Sequence, residues 1–236
     1  MSTKINFTID GKECAAEQGM YILGAAQKNG IYIPSLCNID GVVPRGSCRI
    51  CTVKVNGKLM AACSTPVIEG MTIENDTEEL RNIRVQILEV LFVEGNHFCP
   101  SCEKSGNCEL QALGYRFNMM APRYPYQFPV RAIDASNPKL VKDHNRCILC
   151  KRCIRAIKTD DGKNLFSFKG RGYKLTIIIE PSLASSITDE LAARAAEICP
   201  VGALIKKETG FAQPIGSRTF DLKPIGADVE NAATQK

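Results

Sequence analysis

A chain of 236 residues, 44% of them hydrophobic, is long enough for one large folded domain or two to three small ones. Its net charge of +5 comes from thirty lysines and arginines spread along the whole length, without the dense basic block of a nucleic-acid binder. No run approaches the roughly 18 apolar residues of a membrane span, and the opening MSTKINFTIDGKE has no apolar core of signal-peptide length, so a cytoplasmic protein is expected.

Twelve cysteines in such a chain point to metal binding, because the cytosol keeps thiols reduced. In chain order, INFTID, GK and ECAA predict a strand, a turn and a second strand, and MYILGAAQKNG predicts a short helix stopped by Gly30. TVKVNGKLMAAC carries a hairpin signal at Asn56-Gly57, and MTIEND predicts a further short strand. This order is that of a small β-grasp domain over residues 1–76.

Within it lie Cys37, Cys48, Cys51 and Cys63, separated by ten, two and eleven residues. Three thiolates on one loop and a fourth at the end of a hairpin would hold a plant-type [2Fe–2S] centre, although the first gap is wider than the usual four. Gly46 lets the loop turn, so that the amides of Ser47 to Ile50 can point at sulfur. A four-cysteine zinc site remains an alternative on spacing.

Asp76 or Thr77 can cap a helix with apolar Leu80, Ile83, Ile87, Leu88 and Leu91 at helical spacing. It leads into EGNHFCPSCEKSGNC, where Cys99, Cys102 and Cys108 are one ligand short of a [4Fe–4S] cube. Cys14 falls in a predicted strand and reads as a small buried hydrophobe, so His97 is taken as the fourth ligand, the alternative being a bystander. Residues 77–118 form this segment, and residues 119–137, with APRYPYQFPV, an extended proline and aromatic connector.

Residues 138–209 hold NRCILCKRCIRA, a C-x2-C-x2-C run, with the alanine-rich TDELAARAAEI helix leading to Cys199-Pro200. This is the bacterial ferredoxin pattern, and with a single run Cys147, Cys150, Cys153 and Cys199 must complete one [4Fe–4S] cube. Arg146, Lys151, Arg152 and Arg155 surround it, either raising its potential or as solvated surface charge; His144 has no open corner to fill. Residues 210–236 repeat PIG at 214–216 and 224–226, and are expected as an extended tail whose last ten residues are disordered.

The fold class expected is thus α+β: a β-grasp ferredoxin-like domain, a helical segment with one histidine and three cysteines, and a ferredoxin-like [4Fe–4S] domain. The order of these motifs resembles the amino-terminal part of the large iron–sulfur subunit of respiratory complex I and of [FeFe] hydrogenases. The H-F-C spacing at His97 differs from the complex I pattern, which has three residues between. GNHFCPSCEKSGNCELQALGY and the short length are similar to the diaphorase-module iron–sulfur subunit of soluble NAD-reducing [NiFe] hydrogenases.

That resemblance implies one [2Fe–2S] and two [4Fe–4S] clusters on the twelve ligands named. It also implies a relay between hydrogenase small and large subunits, carrying the Ni–Fe site, and a flavoprotein diaphorase subunit with FMN and NAD. By analogy with complex I, the order from the flavin side would be the [2Fe–2S] centre, the Cys147 cube, then the His97 cube. No dinucleotide fingerprint follows a strand, so the chain itself is not expected to convert substrate. The rivals are the equivalent subunit of an NAD-linked formate dehydrogenase or complex I-like enzyme, and a zinc-stapled scaffold.

Overall fold

In the computed structural model, which describes residues 3–234, the chain opens with β1 (Lys4–Ile9), whose alternate residues Ile5, Phe7 and Ile9 face inward. An Asp10-Gly11 turn with positive φ at both residues (49° and 78°) matches strand twist and pairs β1 antiparallel with β2 (Lys12–Glu17). Cys14 lies buried in the core behind this hairpin, as a small hydrophobe would. Then α1 (Ile22–Lys28) buries Ile22, Ala25 and Ala26 and ends at Gly30, whose φ of 71° lets the Ile31 amide donate back to the Ala26 carbonyl at 2.9 Å.

Next come β3 (Thr52–Val55) and β4 (Lys58–Ala61), joined at Asn56-Gly57, and β5 (Thr72–Glu74). The sheet order β2-β1-β5-β3-β4, with β1 and β5 parallel and the other pairs antiparallel, is a β-grasp arrangement.

The Thr77 hydroxyl accepts the Leu80 amide at 3.3 Å and caps α2 (Glu78–Glu94), with Glu78 and Glu79 favourably placed in its first turn. Its buried face holds Leu80 and Leu88, and also two charges that the apolar spacing did not reveal. Arg84, 2% exposed, donates to the Thr52 carbonyl at 3.0 Å and to Asn75 Oδ1 at 2.8 Å, fastening the helix to the sheet. Glu89 accepts both guanidinium nitrogens of Arg123 at 2.8 Å and so holds the proline-rich connector on the helix.

After α3 (Glu109–Arg116), the connector runs without regular structure to β6 (Ile133–Asp134). That strand pairs with β7 (Leu140–Asp143), the centre of a β10-β7-β6 sheet. The remaining elements are α4 (Arg152–Ala156), the β8 (Phe166–Lys169) and β9 (Thr176–Ile179) hairpin, α5 (Asp189–Ile198) capped by Thr188, and β10 (Leu204–Lys206). Residues 77–118 and 138–209 share one hydrophobic core, which also takes in Leu36 and Ile50 of the first cysteine loop, while the β-grasp sheet has its own.

The tail departs from the expectation of an extended segment with a disordered end. It forms α6 (Thr219–Leu222) and α7 (Ala227–Thr234); residues 235–236 of the stretch expected to be disordered lie outside the described residues. Tertiary contacts give the reason. Glu230 pairs with Arg116, and Gly226 lies so close to Tyr32 that an added Cβ would be 2.4 Å from the ring. No helix among the described residues is long and apolar enough to cross a membrane.

Candidate metal centres

The first thiol set lies where the loop after α1 meets the end of the β3–β4 hairpin. Cys37, Cys51 and Cys63 are buried and Cys48 is half-buried. Gly46 takes φ 61° against Ser64, whose Oγ would be 2.9 Å from an added Cβ, and Arg49 also adopts a positive φ of 62°. These two turns fold the loop over the thiols. The Cys48 amide faces the Cys37 sulfur and the Ile50 amide faces Cys48, within the Ser47–Ile50 stretch expected to do so.

The four thiols act on one another's protons. Contact with Cys48 and then Cys63 pulls the Cys37 thiol far below its ordinary range, and contact with Cys63 brings Cys51 down to about 7. Cys48 and Cys63 are pushed up, first by the proton-sharing interaction with Cys37, with burial adding to it. A bound cation favours the release of the remaining protons from such a set.

The second set begins beyond α2. A 3-10 turn (Cys99–Ser101) carries Cys99 and leads to Cys102, and Cys108 caps α3, its Sγ accepting the Gln111 amide at 3.5 Å. His97, Cys99, Cys102 and Cys108 line one small pocket. His97 Nε2 is fully buried and, among the described residues, has no hydrogen-bond partner. Burial, and then the charge of Arg146, lower its pKa to about 4, so the ring is a neutral imidazole, and its Nε2 lies against Gly95, where an added Cβ would be 2.4 Å away. Burial pushes the Cys108 thiol up to about 12 and raises Cys99 as well.

Two residues complete this cavity that the sequence did not single out for it. Gly202 is one: a Cβ there would lie 2.4 Å from Cys102 Sγ. Its only signal is the glycine in CPVG. Arg146 is the other. Expected beside the Cys147 run, it points away, donating to Cys102 Sγ at 3.5 Å and Glu103 at 3.3 Å and pairing with Asp143 at 3.1 Å.

The third set, Cys147, Cys150, Cys153 and Cys199, lines one small cavity closed by Ile148, Ile177, Val201 and Leu204. Leu149 and Lys151 adopt positive φ (52° and 65°), which curls the C-x2-C-x2-C loop around that space. Burial, ahead of the mutual repulsion of the sulfurs, holds Cys150 well above its ordinary pKa and Cys153 up to about 12; Cys199, at the end of α5, is raised too. His144 hydrogen-bonds Thr176 and lines neither cavity.

Of the other cations around this run, neither arginine is solvated surface charge. Arg152, 8% exposed, forms a two-point pair with Glu109 at 2.5 and 2.7 Å. Arg155 reaches the first set, donating to the Cys37 carbonyl at 3.0 Å. The amide after Cys108 donates to the carbonyl after Cys199 at 2.9 Å. The third set is therefore tied to both of the others.

Buried thiols disfavour ionisation unless positive charge replaces the lost solvent, and the open His97 nitrogen asks for a Lewis acid. The donor sets fit iron–sulfur clusters on that chemistry. Among the described residues no three His, Cys, Asp or Glu side chains close around a single-ion position, and two of the sets each line a pocket of their own.

Comparison with known proteins agrees segment by segment. Residues 2–78 match the 2Fe-2S iron-sulfur cluster binding domain, 84–123 the NADH-ubiquinone oxidoreductase-G iron-sulfur binding region, and 137–205 the NADH-quinone oxidoreductase subunit 3 ferredoxin-like domain. The 78 kDa subunit of mitochondrial NADH-ubiquinone oxidoreductase from Candida albicans is 32% identical over 93% of this chain, which spans 30% of that protein. A crystal structure of NAD+-reducing [NiFe]-hydrogenase in the H2-reduced state contains a chain of similar fold, with TM-score 0.87 and 43% identity over 94% of this chain and 96% of that one. The gamma subunit of the NAD-reducing hydrogenase HoxS of Cupriavidus necator is likewise 43% identical, over 94% of this chain and 96% of its own length. With three iron–sulfur segments in the same order and near-complete coverage on both sides, the chain belongs to the family of NAD-reducing hydrogenase gamma subunits.

Proposed function

We propose that this chain is the cytoplasmic electron-transfer subunit that joins a [NiFe] hydrogenase module to a flavoprotein diaphorase subunit in hydrogen-dependent NAD reduction. Family membership and the three donor sets in one chain support it. Cys37, Cys48, Cys51 and Cys63 would hold a [2Fe–2S] cluster; His97, Cys99, Cys102 and Cys108 one [4Fe–4S] cluster; Cys147, Cys150, Cys153 and Cys199 the other. When bound, such clusters supply one-electron transfer at potentials set by ligands, sulfur hydrogen bonds and burial. FMN, NAD and the Ni–Fe site belong to the partners.

The protein's part is to bind, space and insulate. Apolar Ile148, Ile177, Val201 and Leu204 exclude water from the third set, and Gly202 leaves room beside Cys102. Arg155 joins the Cys147 segment to the Cys37 loop, and the Arg152–Glu109 pair joins it to the helix that begins at Cys108. The observation carrying the reading is this central position of the Cys147 set, which matches its middle place in the expected relay order. Removing the chain from the assembled complex should abolish hydrogen-dependent NAD reduction, while hydrogen-dependent and NADH-dependent reduction of artificial dyes persist on the separated modules. Hydrogen-dependent NAD reduction at the full rate without this chain would refute it.

A further inference from the structure

Among the described residues, four buried side-chain nitrogens have no hydrogen-bond partner: Arg84 Nε, His97 Nε2, Lys142 Nζ and Arg152 Nε. The two arginines satisfy their other nitrogens. His97 lines the same pocket as the second thiol set. Lys142 has no such explanation.

Lys142 is 1% exposed and lies on β7, two residues from the equally buried Leu140, so it occupies a core-facing position of an alternating strand. β10 covers one edge of that strand and β6 the other. Asp134, its opposite number on β6, accepts instead from the Ser136 amide at 3.0 Å and the Ser136 hydroxyl at 2.6 Å. Lys142 and all four thiols of the third set line the same cavity, whose other walls are apolar. An unpaired buried ammonium is strongly unfavourable, so the fold retains one only where negative charge meets it. Among the described residues that line this cavity, the only groups that can carry negative charge are its thiolates.

We propose that Lys142 is a potential-setting residue, its ammonium supplying countercharge and an N–H···S hydrogen bond to the cluster held by Cys147, Cys150, Cys153 and Cys199. This rests on the reading that those cysteines hold a four-iron cluster. With four thiolates such a centre carries about two negative charges when oxidised, and reduction adds one electron and no proton. A fixed cation favours the more negative state, so Lys142 raises the midpoint potential.

The test is an EPR-monitored redox titration of the complete complex carrying Lys142→Met, which keeps the length and apolar stem of the side chain. At the wild-type midpoint of this cluster, the reduced-to-oxidised ratio should fall at least tenfold, a shift of 59 mV or more to lower potential. The other two clusters should titrate as in wild type. An unmoved midpoint with full iron content overturns the proposal. If the variant loses the cluster, pulsed EPR on a Lys151→Met chain labelled with ζ-15N-lysine decides, since Lys151 is the neighbouring lysine. A nitrogen coupling to the reduced cluster supports the proposal and its absence overturns it. Iron content in wild type separates the two claims: a chain with no four-iron cluster on these cysteines defeats the underlying reading, whatever Lys142 does.

Discussion

Replacing His97 by cysteine exchanges a neutral ligand for a charged one, at a site where the surroundings cannot compensate. Its Nε2 is buried and unpartnered, its ring packs edge-on against Phe92 at 5.5 Å, and Gly95 lies directly beneath it. Arg146, the cation that reaches Cys102, is already engaged by Asp143 and Glu103. The added negative charge should therefore act in full on the potential. Two histidines in place of two cysteines raise a Rieske centre by about 250 mV or more over a plant-type ferredoxin, so one exchange here should lower the midpoint by on the order of 100 mV. His97→Ala, in contrast, leaves one corner open and should cost iron at this site alone. The assay is a redox titration followed by EPR, with iron analysis, on wild type and both variants. Unchanged potentials and full iron in both would show that His97 is a bystander and that the fourth ligand comes from elsewhere.

Gly202→Ala should weaken or empty the same centre while leaving the Cys147 centre spectroscopically intact, because the new Cβ would lie 2.4 Å from Cys102 Sγ; EPR of the reduced protein checks this. Glu109→Gln removes the charge paired with Arg152, whose side chain is 9% exposed, and should destabilise the protein by about 3 kcal/mol, read as an earlier denaturant midpoint. A double-mutant cycle with Arg152→Met should return much of that loss, and additive effects would contradict the pairing. Cys14→Ala should cost about 1 kcal/mol in stability and leave the iron content unchanged, since Cys14 lies in the sheet core rather than in a thiol set. Arg155→Ala frees the Cys37 carbonyl that it holds at 3.0 Å and should shift the [2Fe–2S] midpoint without iron loss.

What the sequence disclosed was local. Alternation in β1, the Asn56-Gly57 turn, Gly30 at the end of α1 and the Thr77 cap all act within a few residues, and the fold contains each of them. The grouping of most of the thiols was legible for the same reason, because short loops fix which of them can meet; Cys199 joins the third set from far along the chain, at the end of α5. Long-range pairing was not legible. Gly202 matters because Cys102, far away in the chain, approaches it, and Arg146 turns toward Cys102 rather than its neighbour Cys147. Arg84, Glu89 and Lys142 are charges at core-facing positions, which a hydrophobic pattern counts as surface. The polar tail looked unfolded because its stability comes from Arg116 and Tyr32, on other elements.

The most direct test of three clusters on twelve ligands is the iron and acid-labile sulfide content of the anaerobically purified chain. One two-iron and two four-iron clusters predict about ten of each per chain. Two or three zinc ions with no sulfide would contradict the account.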